Sequence, residues 1–329
     1  MDDVLTSMAV FWALMLLTYF LMQNGLSIFN DVAKSMGMFM LEKALGPGID
    51  LVEGRPGSAS KAWIMQGLLW LLAASTLTFE GLWMMHDPLA LHSLSAWGYS
   101  PTSGSLLYAG NYAVLYGGIG MLLIGAGLHI LPRLARTELA SEKNAALVSF
   151  LWTISVLVLV IGAHDSEVLG INIIFVGTVM HVVAFLAILT NQLLTVSKRQ
   201  GALAIPGWLI IFGLLADPVA TAAIFVSGSV ETGVGQWLLG HMVGGTFFFA
   251  SAAGIALYAS SSASGNPLWS RSLAAAVLVG SIATINPMGE VDGRMAADML
   301  GLNFGELHVT SEDNLVAAFL MALATIPIM

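Results

Sequence analysis

The sequence predicts an all-α protein, a polytopic bundle of transmembrane helices, and three observations carry that reading. Only 9% of the 329 residues are charged, against about 25% in an ordinary soluble domain. Apolar runs of spanning length recur along the chain, and a hydrocarbon core about 30 Å thick needs roughly 20 apolar helical residues to cross it. Only helices and closed barrels satisfy the backbone in lipid. The runs do not alternate polar with apolar, so helices are expected.

Nine spans follow in order. The first, Val4 to Phe29, begins after Asp2 and Asp3 with no basic leader and no small-residue cleavage site, so it reads as a retained anchor. Asn30 to Lys61 is a mixed-charge stretch with turns at Gly46-Pro47-Gly48 and Arg55-Pro56-Gly57, expected on the cytoplasmic surface. The next six spans are Ala62 to Met85, Ser105 to Leu131, Ala145 to Ala163, Ile171 to Leu194, Leu203 to Val226 and Trp237 to Tyr258. Ser272 to Ile285 and Leu315 to Ile328 are shorter and close the series. Residues 1–61 thus form an anchor and cytoplasmic loop, and residues 62–329 one helical bundle of about eight spans.

Loop charge orients the bundle, because Lys and Arg gather on the cytoplasmic side. The loop after the first span holds Lys34, Lys43, Arg55 and Lys61, and the one after the third Arg133, Arg136 and Lys143. Lys198 and Arg199 follow the fifth, and Arg271 the seventh. Of the 11 basic residues only Arg294 falls on the other side. This predicts an N-terminus outside, a cytoplasmic C-terminus and residence in the plasma membrane. The net charge of −9 leaves no basic footprint for nucleic acid. With no Cys, disulfides, thiolate metal sites and cysteine nucleophiles are excluded; any metal would take His, Met or oxygen ligands.

Ionisable groups at membrane depth are expensive and are functional candidates by default. His181 lies mid-way along the fifth span, and Asp217 precedes Pro218 in the middle of the sixth. His241 stands one turn into the seventh, Glu80 near the outer end of the second, and His129 at the inner end of the third. They form no sequence-local metal motif. His181 fits either an interhelical hydrogen bond or a proton relay, and Asp217 either a proline kink or a relay carboxyl. Glu80 and His129 fit interfacial positions where a polar tip reaches water. His86, His92, His164 and His308 are expected at outer loops or helix ends. Asp217, His181 and Glu80 together motivate an ion- or proton-transporting reading.

Four segments carry a family resemblance. Leu106 to Leu139, LLYAGNYAVLYGGIGMLLIGAGLHILPRLARTEL, resembles the second core helix of heme-copper oxidase catalytic subunits, the cytochrome c oxidase subunit I group, closest to its cbb-type and nitric oxide reductase branch. Phe150 to Val168 and Ile173 to Gln192 resemble the next two helices. Gln236 to Pro287 resembles a helix opened by Trp-x-x-Gly-His, a basic loop and a further helix. The resemblance covers roughly residues 62 to 329.

It implies a subunit of a terminal respiratory oxidase with heme and copper, alongside other oxidase subunits and an electron donor such as cytochrome c. It also implies sites. His241 matches a copper-ligand position, and the family's His-His pair falls on Met288 and Gly289, where Met288 alone offers a soft donor. The low-spin heme position falls on Gly110, which has no donor, and the family's late ligand-bearing helix has no counterpart before Met329. A site with so few of its imidazoles loses most of its binding energy. The alternative is a non-catalytic membrane scaffold, or a protein with an apolar pocket, derived from that fold. Gly110, Gly117, Gly118, Gly120, Gly125 and Gly127 on one helix and Gly240, Gly244, Gly245 and Gly254 on another would let helices close over the lost cofactors.

Overall fold

In the computed structural model the described residues are 3–24, 54–227, 233–267, 270–283, 289–299, 301–302 and 308–325. They are almost wholly helical. The long helices are α1 (Asp3–Asn24), α2 (Ser58–His86), α3 (Ser103–Ala135), α4 (Glu142–His164), α5 (Ile173–Ser197), α6 (Ile205–Ser227) and α7 (Gly233–Ser264). Three shorter ones follow, α8 (Arg271–Ala283), α9 (Val291–Met299) and α10 (Ser311–Thr325).

Six helices, α2 to α7, are long and apolar enough to cross a membrane, which places the chain in a lipid bilayer. The other three expected spans coincide with α1, α8 and α10, whose described apolar stretches are shorter. The stretch Asn30 to Lys61 lies largely outside the described residues.

Three local features were not expected. α3 and α7 each contain a π-helical segment, Ala113–Gly120 and Gly240–Phe248, the wider winding that marks functional regions of helices. A two-residue hairpin joins Glu167–Val168 to Ile171–Asn172, with Leu169 and Gly170 both at positive φ, as a tight hairpin turn demands. α6 runs through Pro218 without a break, so the proline interrupts only its own hydrogen bond.

The chain divides into two compact units, residues 1–122 with 142–181, and residues 123–141 with 182–329. In the first, α2 starts at Gly57, whose φ of +83° suits glycine. Its exposed amides are capped from far along the chain: Glu142 accepts from Gly57 N at 2.7 Å and Ala59 N at 2.9 Å. Trp63 Nε1 donates to the Ala145 carbonyl, and Gln66 bonds Ser149 and Thr153, so polar links tie α2 to α4. The second unit centres on Ile130, Leu131, Val196, Ile210 and Ile211 and on Leu209, Ala250, Ala253 and Val277.

Lipid is as apolar as leucine, so helices in it associate by close packing of small residues. A Cβ at Gly117 would stand 2.5 Å from the Trp70 ring, and one at Gly254 2.7 Å from the Pro206 carbonyl. Among the described residues the expectation is not met at Gly240 and Gly244, where a Cβ would find no neighbour within 4 Å.

Candidate functional site

In the first unit His181 is buried, its Nδ1 2.9 Å from Ser155 Oγ. Its ring lies 4.0 Å from that of Trp152 and 4.4 Å from that of Tyr116. Trp152 Nε1 donates to the Tyr116 carbonyl inside the π segment at 2.9 Å. His181 is therefore held by an interhelical hydrogen bond within an aromatic cage. Glu80 is half-buried on α2 and lies near Tyr99. Burial, and secondarily the Glu80 carboxylate, push the Tyr99 phenol above its ordinary value. His164 bonds Ser105 Oγ at 3.2 Å; His86, His92, His129 and His308 are exposed.

In the second unit Asp217 is 3% exposed, and its Oδ2 has no hydrogen-bond partner among the described residues. The same holds for side-chain atoms of Gln192, Thr221, Thr246 and Ser251, all buried. Packing fixes the register around them. A Cβ at Gly213 would meet Ser251 and stand 3.1 Å from the Phe247 carbonyl, and Gly254 faces Pro206, so α6 and α7 run antiparallel. With a rise of about 1.5 Å per residue, Asp217 comes level with Gly245 and Thr246, and Thr221 lies one turn further on the same face. Gly127 packs beside Ile210 and Gln192, which places Gln192 on the other side of the Gly213 level. The result is a file of buried polar groups along α6, α7 and α5. A buried polar group costs about 1–3 kcal/mol if it is left without a partner, so these groups call for hydrogen-bond partners beyond those among the described residues.

His241 Nε2 lies 3.2 Å from Glu290 Oε1, and its ring rests 4.9 Å from that of Trp237. Met288 lies outside the described residues. Its neighbour Gly289 packs on α10, where a Cβ would stand 2.9 Å from Ala317 Cβ. Gly110 packs on α2, where a Cβ would stand 2.8 Å from Thr78 Oγ1. Among the described residues no group of three or more His, Asp or Glu side chains is placed to hold a metal. The described donors therefore do not fit a three-imidazole copper site, and the two implied ligand positions that are glycines, Gly110 and Gly289, offer no donor and abut neighbouring helices.

Of the residues singled out in the sequence, Asp217 and His181 stand at built sites in separate units, and His241 gains an unforeseen partner in Glu290. Gln192, Thr221, Thr246 and Ser251 were missed. Their signal was only that polar side chains interrupt apolar spans. No family model matches this sequence, and no curated protein matches it.

Proposed function

We propose that the chain is a nine-span plasma-membrane subunit, N-terminus outside and C-terminus cytoplasmic, on a scaffold like that of heme-copper oxidase catalytic subunits. It serves a respiratory-type membrane assembly as a non-catalytic helical scaffold. One observation carries this reading. Gly110 and Gly289, where the resemblance places metal-binding imidazoles, are close-packed against Thr78 and Ala317, so each donor is missing and a neighbouring helix lines its place. Support for the orientation comes from the Lys and Arg distribution, and support for nine spans from the positions of α1, α8 and α10.

Native mass spectrometry of the purified protein tests the scaffold reading. A mass equal to the polypeptide, alone or with partner polypeptides, is the expected result. An added heme mass would return the chain to the oxidases.

The buried Asp217, whose Oδ2 has no hydrogen-bond partner among the described residues, favours a second reading, transfer of protons across the membrane along the α6–α7 polar file. Proton flux in proteoliposomes that is lost in Asp217→Asn would support it, and no flux with the intact protein would remove it.

A further inference from the structure

Six aromatic rings of the first unit form one unbroken column. Tyr108, Tyr112 and Tyr116 follow each other at four-residue spacing on α3, with ring centroids 4.9 Å and 6.2 Å apart. Tyr116 touches His181 at 4.4 Å, His181 touches Trp152 at 4.0 Å, and Trp152 meets Trp63 at 5.3 Å. Packing contacts give the length of the column. Gly81 of α2 faces Leu106 and Leu107 beside Tyr108, and Trp63 stands near the opposite end of α2. At about 1.5 Å per residue the column covers about 25 Å, most of the about 30 Å hydrocarbon thickness.

Its members are fixed at both ends and in the middle. Trp63 and Trp152 are fully buried, and their indole N–H groups bond the Ala145 and Tyr116 carbonyls. Tyr108 and Tyr112 share a hydroxyl–hydroxyl hydrogen bond of 2.9 Å, and Tyr108 is 47% exposed near the Ser103 end of its helix. Packing alone asks for no particular order of rings. This order runs from indoles to phenols, and from a buried end to an exposed one.

We infer that the column is a one-electron relay which carries an oxidising equivalent from the Trp63–Trp152 pair to the Tyr108–Tyr112 pair. Electron tunnelling weakens exponentially with distance, so a series of short gaps passes a charge that one long gap stops. A phenol that loses its proton is more easily oxidised near neutral pH than an indole, so the transfer runs downhill toward the tyrosines. The oxidant class that suits the membrane surface, where Trp63 stands two residues past Lys61, is a lipid peroxyl radical. It takes one electron from the tryptophan pair and one proton from the medium and becomes a hydroperoxide. The electron hole passes to the tyrosine pair, whose hydroxyl proton leaves at the exposed Tyr108, leaving a neutral tyrosyl radical. A hydroquinone-class reductant then returns one hydrogen atom to the phenoxyl oxygen and is itself oxidised by one electron. His181 acts as a positioning residue, filling the gap between Trp152 and Tyr116 without being oxidised.

The relay does not depend on the scaffold reading, and its test is separate. The chain has no cysteine, so Lys143→Cys, an exposed position two residues from the carbonyl that holds Trp63, accepts a single ruthenium-polypyridyl photo-oxidant. Flash oxidation of the labelled full-length protein in nanodiscs, followed by transient absorption and by electron paramagnetic resonance of freeze-trapped samples, should show a tryptophan radical converting to a tyrosyl radical. Tyr116→Phe and Trp152→Phe keep a ring at each place and should slow that conversion and lower its yield, with the hole held on the Trp63–Trp152 pair in the first and on Trp63 in the second. Tyr108→Phe/Tyr112→Phe should leave no tyrosyl signal at the end of the column. A tyrosyl yield unchanged in Tyr116→Phe and Trp152→Phe, or a Trp63 radical that never converts in the parent protein, would overturn the inference. Circular dichroism of each variant confirms that a lost signal belongs to a folded protein.

Discussion

Gly110→Ala tests whether the position where a heme ligand is implied has been closed by helix packing. The new Cβ would lie 2.8 Å from Thr78 Oγ1, where ordinary contact begins near 3.4 Å, while the next neighbours, Thr78 N at 3.5 Å and Ala74 O at 3.8 Å, are already comfortable. One hydroxyl must therefore retreat by a little over half an ångström. Overpacking of this kind costs about 1–3 kcal/mol, and a single yielding contact points to the lower half of that range. Thr78→Ala removes the obstructing atom, so the double variant should recover nearly all of the loss, with a coupling comparable to the single-variant cost. Unfolding in mixed micelles by sodium dodecyl sulfate, followed by far-ultraviolet circular dichroism, measures all four corners of the cycle. A Gly110→Ala protein within about 0.5 kcal/mol of the parent, or a Thr78→Ala change that restores nothing, would refute the closed-position argument.

Three other outcomes are expected. Gly213→Ala meets backbone as well as a side chain, with the Phe247 carbonyl at 3.1 Å and Ser251 N at 3.3 Å. It should cost up to about 3 kcal/mol, and the same unfolding assay should find that Ser251→Ala rescues it only in part. Glu142→Gln weakens two charge-assisted bonds to the start of α2. A loss of about 1–2 kcal/mol with faster hydrogen exchange at Gly57 and Ala59 should follow. Bonds from the Thr310 backbone and hydroxyl, and then Arg294, hold the Asp313 carboxyl below its ordinary value. A depressed folded-state pKa stabilises above the ordinary carboxylate range and is lost as pH falls through the lowered value. Amide protection factors in the first turn of α10, corrected for the intrinsic pH dependence of exchange, should therefore fall on acidification, and Asp313→Asn should remove that dependence.

The helices were legible because length and apolarity suffice to specify a span, and α2 to α7 lie within a few residues of their expected positions. The π segments were not; in the first, the Tyr116 carbonyl accepts from Trp152 of another helix, a tertiary contact that leaves no local sequence signal. The hairpin at residues 167–172 was half visible in Gly170; a leucine at positive φ beside it carries no sequence signal. At the sites, ionisable residues stood out because lipid makes them costly, which drew attention to Asp217 and His181. Thr221, Thr246 and Ser251 did not, because Ser and Thr in helices usually satisfy themselves on the preceding turn, as Thr178 and Thr190 do here, and Gln192 did not because it carries no charge. Only packing shows which hydroxyls lack that recourse. The long-range cap from Glu142 to the start of α2, 85 residues away, is likewise a tertiary fact.

The most direct test of the scaffold reading is a dithionite-reduced minus oxidised visible spectrum of the purified protein, with iron and copper counted on the same sample. A flat difference spectrum and no stoichiometric metal are the expected result. Sharp heme bands with one or more irons per chain would contradict it.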